Sequence, residues 1–383
     1  MNRLLFFSGS RSDSSLLIPI IKNSSKKASC GIVIGGSHNS KIFGNTFKEF
    51  RDITNTKKYY IQHNFKSLSK NEINLYSSKI LSSLQKIIVS FKPDAIVLLG
   101  DRWESMIASV CAVQNEIPIA HIHGGEKTIG SIDDVYRHCI SKMSLLHFVS
   151  HLDYKRRLIQ LGEEKKKIII SGSLGAENVQ KHKFQSKINI EKKFKIKFNL
   201  RNILISYHPE INLNNRNLLI IKKVILFLNQ DKKNNIFITM PSIDNESIKL
   251  QKIFKKFAKK KNIYFIESFG KNFYLSFLKY CDVIIGNSSS AIYEAPSLKT
   301  LAINIGQRQA GRIQSKGVFN VSYDLYKIIK IFKKILIIDK DKFYNKFKDI
   351  FYKKNTAQII SNKICNFNFN KKNKIFHDIK FYD

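Results

Sequence analysis

The sequence predicts an α/β protein made of two doubly wound parallel-sheet domains in tandem, and three observations carry that reading. Short apolar runs recur along the chain, among them residues 4–7, 95–99, 119–123 and 283–286, and such runs suit strands covered on both faces. Stretches with helical periodicity separate them, as in residues 71–91, where Ile73, Tyr76, Ile80, Leu81, Leu84, Ile87 and Ile88 share one face. Strand and helix in alternation make a parallel, doubly wound sheet. The chain, at 383 residues, exceeds what one hydrophobic core usually serves, and 43% apolar content is enough to fill two.

The first domain begins with the strand at 4–7. Ser8, Gly9, Ser10, Arg11, Ser12 and Asp13 follow, and then the apolar residues 16–21. That is a strand, a tight turn and a helix start, where free N–H groups beside the Arg11 guanidinium suit a phosphate. A second strand over 28–36 closes on Gly35, Gly36 and His38, and residues 39–70 carry no clear pattern. The amphipathic helix at 71–91 leads into the strand at 95–99, which breaks at Gly100 into Asp101, Arg102, Trp103 and Glu104. The strand at 119–123 breaks in turn into His121, His123, Gly124, Gly125 and Glu126, and after Gly130 into Asp133, Asp134, Arg137 and His138. Ligands of open α/β sheets lie beyond the carboxyl ends of the strands, so these acids and imidazoles are expected to converge on one cleft. Strands at 144–149 and 168–171, with a basic helix at 152–161 between them, complete this half.

A polar, lysine-rich linker over 180–197 leads to a second series of strands at 202–207, 235–239, 263–266, 283–286 and 300–305. The domains are thus expected at 1–180 and 198–338, followed by a helical segment over 339–383 with one helix at 340–363. Periodicity leaves open whether that segment packs back on the first domain. In the second half Gly286, Asn287, Ser288, Ser289 and Ser290 precede a helix expected to start near Ala291, with Glu294 in its first turn. Hydroxyls and N–H groups there form a cradle for a diphosphate, and a carboxylate one turn in can accept ribose hydroxyls. Tyr207, His208, Pro209 and Glu210 end one neighbouring strand, and the run from Gly306 to Arg312 ends another.

Composition narrows the function classes. The net charge of +37 comes from lysines spread through the whole chain, with no basic stripe of the kind that grips nucleic acid. Five cysteines, Cys30, Cys111, Cys139, Cys281 and Cys365, are far apart and mostly in apolar runs, which fits a reduced, cytoplasmic interior. No set of His, Cys and acids has metal-ligand spacing. The first apolar run is far shorter than the roughly 20 residues a bilayer requires, so neither a spanning segment nor a membrane partner is expected.

With these residues in view, the chain resembles the hydrolysing UDP-N-acetylglucosamine 2-epimerases of sialic and legionaminic acid routes. The likeness runs from Gly9-Ser10-Arg11 to Arg312. It is closest in Leu99-Gly100-Asp101-Arg102, in His121 to Glu126 with Asp133, Asp134, Arg137 and His138, and in the Gly286 and Gly306 runs. The resemblance implies a GT-B-like fold of two Rossmann-like domains with the active-site cleft between them, the nucleotide held by the second domain and the sugar by the first. It implies a homo-oligomer that needs no metal and no cofactor. Asp101 and Asp133 match the family's catalytic carboxylates, with Glu126 and His123 in the same loop. Arg11, Arg102, Asp134, Arg137, His138, His208, Gly286, Asn287, Ser288, Ser289, Glu294 and Arg312 match substrate-binding positions.

Two departures stand out. Several members place a glutamate before the Gly-Gly pair, where this chain has His123, which either transfers a proton or only positions the sugar. Some relatives also carry a lysine after the first-turn arginine, and here Leu16 stands there. The expected reaction converts UDP-N-acetylglucosamine, or a relative such as UDP-N,N'-diacetylbacillosamine, to the free 2-epimer and UDP through a 2-acetamidoglycal. A non-hydrolysing 2-epimerase or a GT-B glycosyltransferase is the alternative, and a basic nucleic-acid-binding protein the remote one.

Overall fold

In the computed structural model, residues 1–39, 46–63, 69–129, 131–208, 210, 215–241, 247–270, 273–346, 349–370 and 374–379 are described, less the side chains of residues 11, 39, 215–217 and 247–248. The chain divides into two compact units. Unit 1 comprises Met1–Glu126, Ile132–Glu177 and Lys353–Asp383, and unit 2 comprises Lys127–Ser131 and Asn178–Tyr352.

Unit 1 contains strands β1 (Arg3–Ser8), β2 (Ser29–Ile34), β3 (Thr56–Tyr60), β4 (Ala95–Leu99), β5 (Ile119–Ile122), β6 (Leu146–Val149) and β7 (Ile168–Ile170), in the order β3-β2-β1-β4-β5-β6-β7. Its pairings are all parallel among the described residues, with Leu4 opposite Cys30 on one side and Ala95 on the other. Helices α1 (Arg11–Ser24), α2 (Lys70–Phe91), α3 (Trp103–Gln114), α4 (Asp133–Met143) and α5 (Leu152–Gln160) connect them, and α6 (Leu174–Lys181) follows β7, with its residues up to Glu177 in this unit. The period of two along a strand assigns its side chains to two cores. Leu4 and Phe6 pack with α1 residues such as Leu17 and Ile21, while Leu5 and Phe7 pack with Tyr76, Ile80 and Leu84 of α2.

Unit 2 holds helix α7 (Lys187–Phe194), then strands β8 (Arg201–Ser206), β9 (Asn234–Thr239), β10 (Ile263–Ile266), β11 (Val283–Gly286), β12 (Leu301–Ile305) and β13 (Val318–Val321) in the order β10-β9-β8-β11-β12-β13. Helices α8 (Asn215–Gln230), α9 (Ser247–Phe257), α10 (Tyr274–Lys279), α11 (Ser290–Tyr293), α12 (Leu325–Leu336) and α13 (Lys340–Asn345) complete it. Apolar clusters again cover both faces. Both sheets have the doubly wound order in which the chain reverses direction beside its first strand. The turning points lie between β1 and β4 and between β8 and β11, so ligand chemistry is expected there.

Three expectations need correction. The single helix over 340–363 is two: α13, capped by Asp339 accepting from Lys342 N at 3.0 Å, and α14 (Thr356–Cys365) in unit 1. Asn355 at φ 62° breaks them, and Ala357 N donates to buried Glu177 Oε2 at 2.7 Å, so α14 has a capping partner of its own. The lysine-rich passage over 180–197 is not plain linker, because it forms α7, whose N-cap Ser186 accepts from Asn189 N. Finally, α11 is a single turn, and Glu294 ends it rather than sitting in the first turn of a longer helix.

Candidate functional site

In unit 1 the turn after β1 is tied down from within. Asp13 Oδ2 accepts from Gly9 N at 3.0 Å and Ser10 N at 2.8 Å, and Ser10 Oγ donates to Asp13 Oδ1 at 2.7 Å. Burial pushes the Asp13 carboxyl up, while these donors and Arg102 pull the other way. The Arg11 side chain lies outside the described residues.

Asp101 follows Gly100, whose φ of 74° lets the chain turn off the end of β4. Its carboxylate pairs with Arg137, which is only 2% exposed although it carries a guanidinium. The reason is the company it keeps. Arg137 Nη1 donates to His123 O at 2.8 Å and lies 3.6 Å from Glu126 Oε2, and Glu126 Oε1 lies 2.8 Å from His123 Nδ1. One buried cation therefore joins two carboxylates and the turn that carries an imidazole, and such a fork of donors is what makes its burial tolerable. A carboxylate can only accept, so in this pair His123 Nδ1 is the donor. His123 sits at φ 64°, a strained conformation for a side-chain-bearing residue. Gly125 lets the turn pass, because a Cβ there would lie 2.4 Å from Tyr154 O.

Arg102 and Glu104 flank the start of α3, with Arg102 Nε 3.4 Å from Glu104 Oε2. Glu104 is 2% exposed, and burial lifts its carboxyl to about 7 against the pull of Arg102, with the charges of Asp13 and Asp133 lifting it further. Asp133 and Asp134 open α4, and one turn on His138 Nε2 lies 3.7 Å from Asp134 Oδ2. His121 is different. It is fully buried, held between Gly100 O at 2.7 Å and Ser141 Oγ at 3.0 Å, and burial pushes its pKa to about 3, so it is a neutral structural group.

In unit 2 three strand ends are stitched together by two side chains. Asn287, fully buried after β11, accepts from His208 N at 2.7 Å and donates to His208 O at 2.9 Å and to Glu210 Oε1 at 3.3 Å. Glu210 Oε1 also accepts from Gln307 N and Arg308 N, each at 3.2 Å, and Gln309 Nε2 returns to Asn287 O at 2.8 Å. Gly286 is required where β11 turns, since a Cβ would meet Ser206 O at 2.1 Å. Ser288 is nearly buried and accepts from Ser290 N at 3.3 Å, whereas Ser289 is exposed. Arg312 stacks 5.6 Å from the Tyr293 ring and donates to Thr128 Oγ1 at 3.3 Å. A polar cavity of about 370 Å³ adjoins it, lined by Asn304, Gly306, Gln307, Arg312, Gln314 and Asn320 among others.

Sequence reasoning named Glu104, Glu210 and Gln309 only as members of strand-end runs and missed Thr128. Glu104 and Glu210 each follow a strand-end motif by two or three residues, which is the only signal available. Among the described residues no cluster of His, Cys, Asp or Glu has metal-holding geometry, and no helix is long and apolar enough to cross a membrane.

The family described as UDP-N-acetylglucosamine 2-epimerase matches residues 22–365. A Campylobacter jejuni GDP/UDP-N,N'-diacetylbacillosamine 2-epimerase (hydrolyzing) is 38% identical over 303 residues, 77% of each chain. The Escherichia coli polysialic acid biosynthesis protein P7 is 31% identical over 402 residues, covering 100% of this chain and 98% of its own. In fold, the Methanocaldococcus jannaschii UDP-GlcNAc 2-epimerase solved with UDP-GlcNAc and UDP superposes with a TM-score of 0.78 over 94% of this chain and 99% of its own, at 21% identity.

Proposed function

The chain belongs to the UDP-N-acetylglucosamine 2-epimerase family, and from that premise we propose that it is a hydrolysing 2-epimerase acting on a UDP-2-acetamido sugar. Its substrate is UDP-N-acetylglucosamine or a UDP-N,N'-diacetylbacillosamine type, and its products are the free 2-epimer and UDP. The relative at 38% identity, with that printed activity, supports the hydrolysing outcome. The observation that carries the reading is the buried set in which Arg137 joins Asp101, Glu126 and the His123 turn.

Epimerisation at C2 with loss of the nucleotide needs two proton transfers on opposite faces of the sugar. A base takes the C2 proton as the C1–O bond breaks and its electrons leave with UDP, giving the 2-acetamidoglycal. Water then supplies hydroxide to C1 while a proton returns to the other face of C2. Asp101 and Asp133 are assigned the two transfers, since acids in different surroundings can hold different protonation states. His123, with its Nδ1 donating to Glu126, shuttles a proton or positions the sugar, and Arg102, Asp134, Arg137 and His138 support the same half. Gly286, Ser288, Ser289, Glu294, Arg312, His208 and Arg11 are assigned to the nucleoside diphosphate, and Asn287 orders them. The enzyme is read as a cytoplasmic homo-oligomer that needs no metal.

Turnover in deuterium oxide tests this reading. The released sugar should carry deuterium at C2, and UDP should appear without any acceptor. Asp101→Asn and Asp133→Asn should each lower the rate by at least about a hundredfold while UDP affinity holds. His123→Ala should be as damaging if the imidazole shuttles and mild if it positions. Released sugar without deuterium, or full activity in both Asp variants, would sink the assignment.

A further inference from the structure

Two ammonium groups and an imidazole gather on one buried carboxylate in unit 1, away from the residues assigned above. Glu163, 4% exposed, follows α5 and pairs with His147 Nε2 at 2.9 Å, Lys142 Nζ at 3.2 Å and Lys374 Nζ at 2.7 Å. Burial alone would raise its pKa, but the His147 and Lys374 bonds hold the carboxyl below its usual value. Lys374 belongs to the C-terminal stretch, which is fastened at two further points. His377 N donates to Gly162 O at 3.1 Å, and the Phe376 ring lies 4.1 Å from Lys142 Nζ.

The same ammonium reaches α4. Lys374 Nζ donates to Ser144 O at 2.6 Å and Ser141 O at 3.3 Å, the last carbonyls of that helix, where a cation also meets the negative end of the dipole. Helix α4 carries Asp133 in its first turn and Arg137, the partner of Asp101. Ser141 makes a second tie through its hydroxyl to His121 and so to Gly100 O, the residue before Asp101. A helix moves nearly as one body in a close-packed interior, so its C-terminal anchor sets its N-terminal turn.

We propose that Lys374 is a positioning residue: its ammonium locks Glu163 to the C-terminal end of α4 and thereby fixes Asp133 and the Arg137–Asp101 pair for proton transfer. The proposal rests on the assignment of those groups under Proposed function. Misplacing a reacting group by about 1 Å can cost about a hundredfold in rate. The charged groups that face Lys374 are Glu163, Lys142 and Lys167, with His147, Glu164 and His377 behind them. Burial lowers the Lys374 ammonium to about 8, against the pull of Glu163. It therefore loses its proton, and the lock its charge, as pH rises through about 8.

Steady-state turnover of a UDP-2-acetamido sugar by the full chain tests the proposal, with UDP affinity and circular dichroism read in parallel. Lys374→Met keeps the stem without the charge and should lower kcat by ten- to a hundredfold, with the UDP dissociation constant unchanged within about twofold. Lys374→Arg should recover kcat to within about threefold and move the alkaline limb of the kcat profile upward from about pH 8. Wild-type kcat in Lys374→Met, or an alkaline limb unmoved in Lys374→Arg, overturns the proposal. If Lys374→Met does not fold, the arginine limb decides alone. A wild-type chain that turns over no nucleotide sugar removes the functional reading with it, whereas active enzyme indifferent to Lys374 removes only the positioning role.

Discussion

Glu104 combines an ordinary address with an unusual state. A glutamate in the first turn of a helix reads as a solvated partner of the dipole, yet this one is buried against the turn after β1, where a Cβ on Gly9 would come 3.0 Å from Glu104 Cβ. No local pattern reveals that, because the covering groups come from another strand end. Asp101, Glu126 and Asp133 were legible as strand-end acids, whereas the grip of Arg137 on Asp101 and Glu126 depends on how α4 is laid against the sheet. For Glu104 the folded pKa of about 7 exceeds the unfolded value of 4.5. Its contribution to stability is complete below about pH 4.5 and is lost as pH rises through 7. Glu104→Gln cannot ionise, so its stability relative to wild type should rise between pH 4.5 and 8, by roughly 2–4 kcal/mol. Urea titrations at both pH values check this, and a difference that stays flat with pH would refute the burial argument.

At the scale of elements, legibility followed burial. Strands β1, β4 and β5 are buried along nearly their whole length and read as continuous apolar runs. The edge strands β3, Thr-Lys-Lys-Tyr-Tyr, and β13, Val-Phe-Asn-Val, are short and half-exposed, so neither reads as a continuous apolar run. The one-turn α11 was overextended because a capping signal fixes where a helix begins and not how soon it stops. What holds the loop after β11 is instead Asn287, whose carboxamide answers both the N–H and the C=O of His208. Asn287→Ala removes the three hydrogen bonds that this carboxamide makes, so unit 2 should lose about 2–4 kcal/mol. UDP affinity should fall with it, as the His208 and Gly306 strand ends come apart. Denaturant melts and UDP titrations measure the two effects, and tight UDP binding in a stable Asn287→Ala protein would show that this carboxamide does not organise the nucleotide half.

The molecule as a whole distributes its buried histidines unevenly. Among the described residues the three that are fully buried, His38, His121 and His147, all belong to unit 1. Burial lowers each of them, His38 and His121 to about 3. They fold neutral, whereas the unfolded chain takes up protons below about pH 6.5, so their contribution is complete above 6.5 and drains away as pH falls toward 3. At pH 5 His38 and His121 each cost about 2 kcal/mol, with His147 acting in the same direction, and that is a large share of the stability of an ordinary domain. Glu104 and Asp13, which are raised, act in the opposite direction. Unit 1 should therefore fail first in acid. The chain's single tryptophan, Trp103, lies in unit 1 against the Tyr76 ring and reports on it directly. Between pH 5 and 4 its fluorescence should shift to that of a solvated indole and turnover should vanish, while UDP still binds through groups assigned to unit 2. Loss of UDP binding at the same midpoint as the Trp103 signal would mean that the units fail as one, and a Trp103 signal unchanged at pH 4 would mean that the buried histidines do not control acid stability.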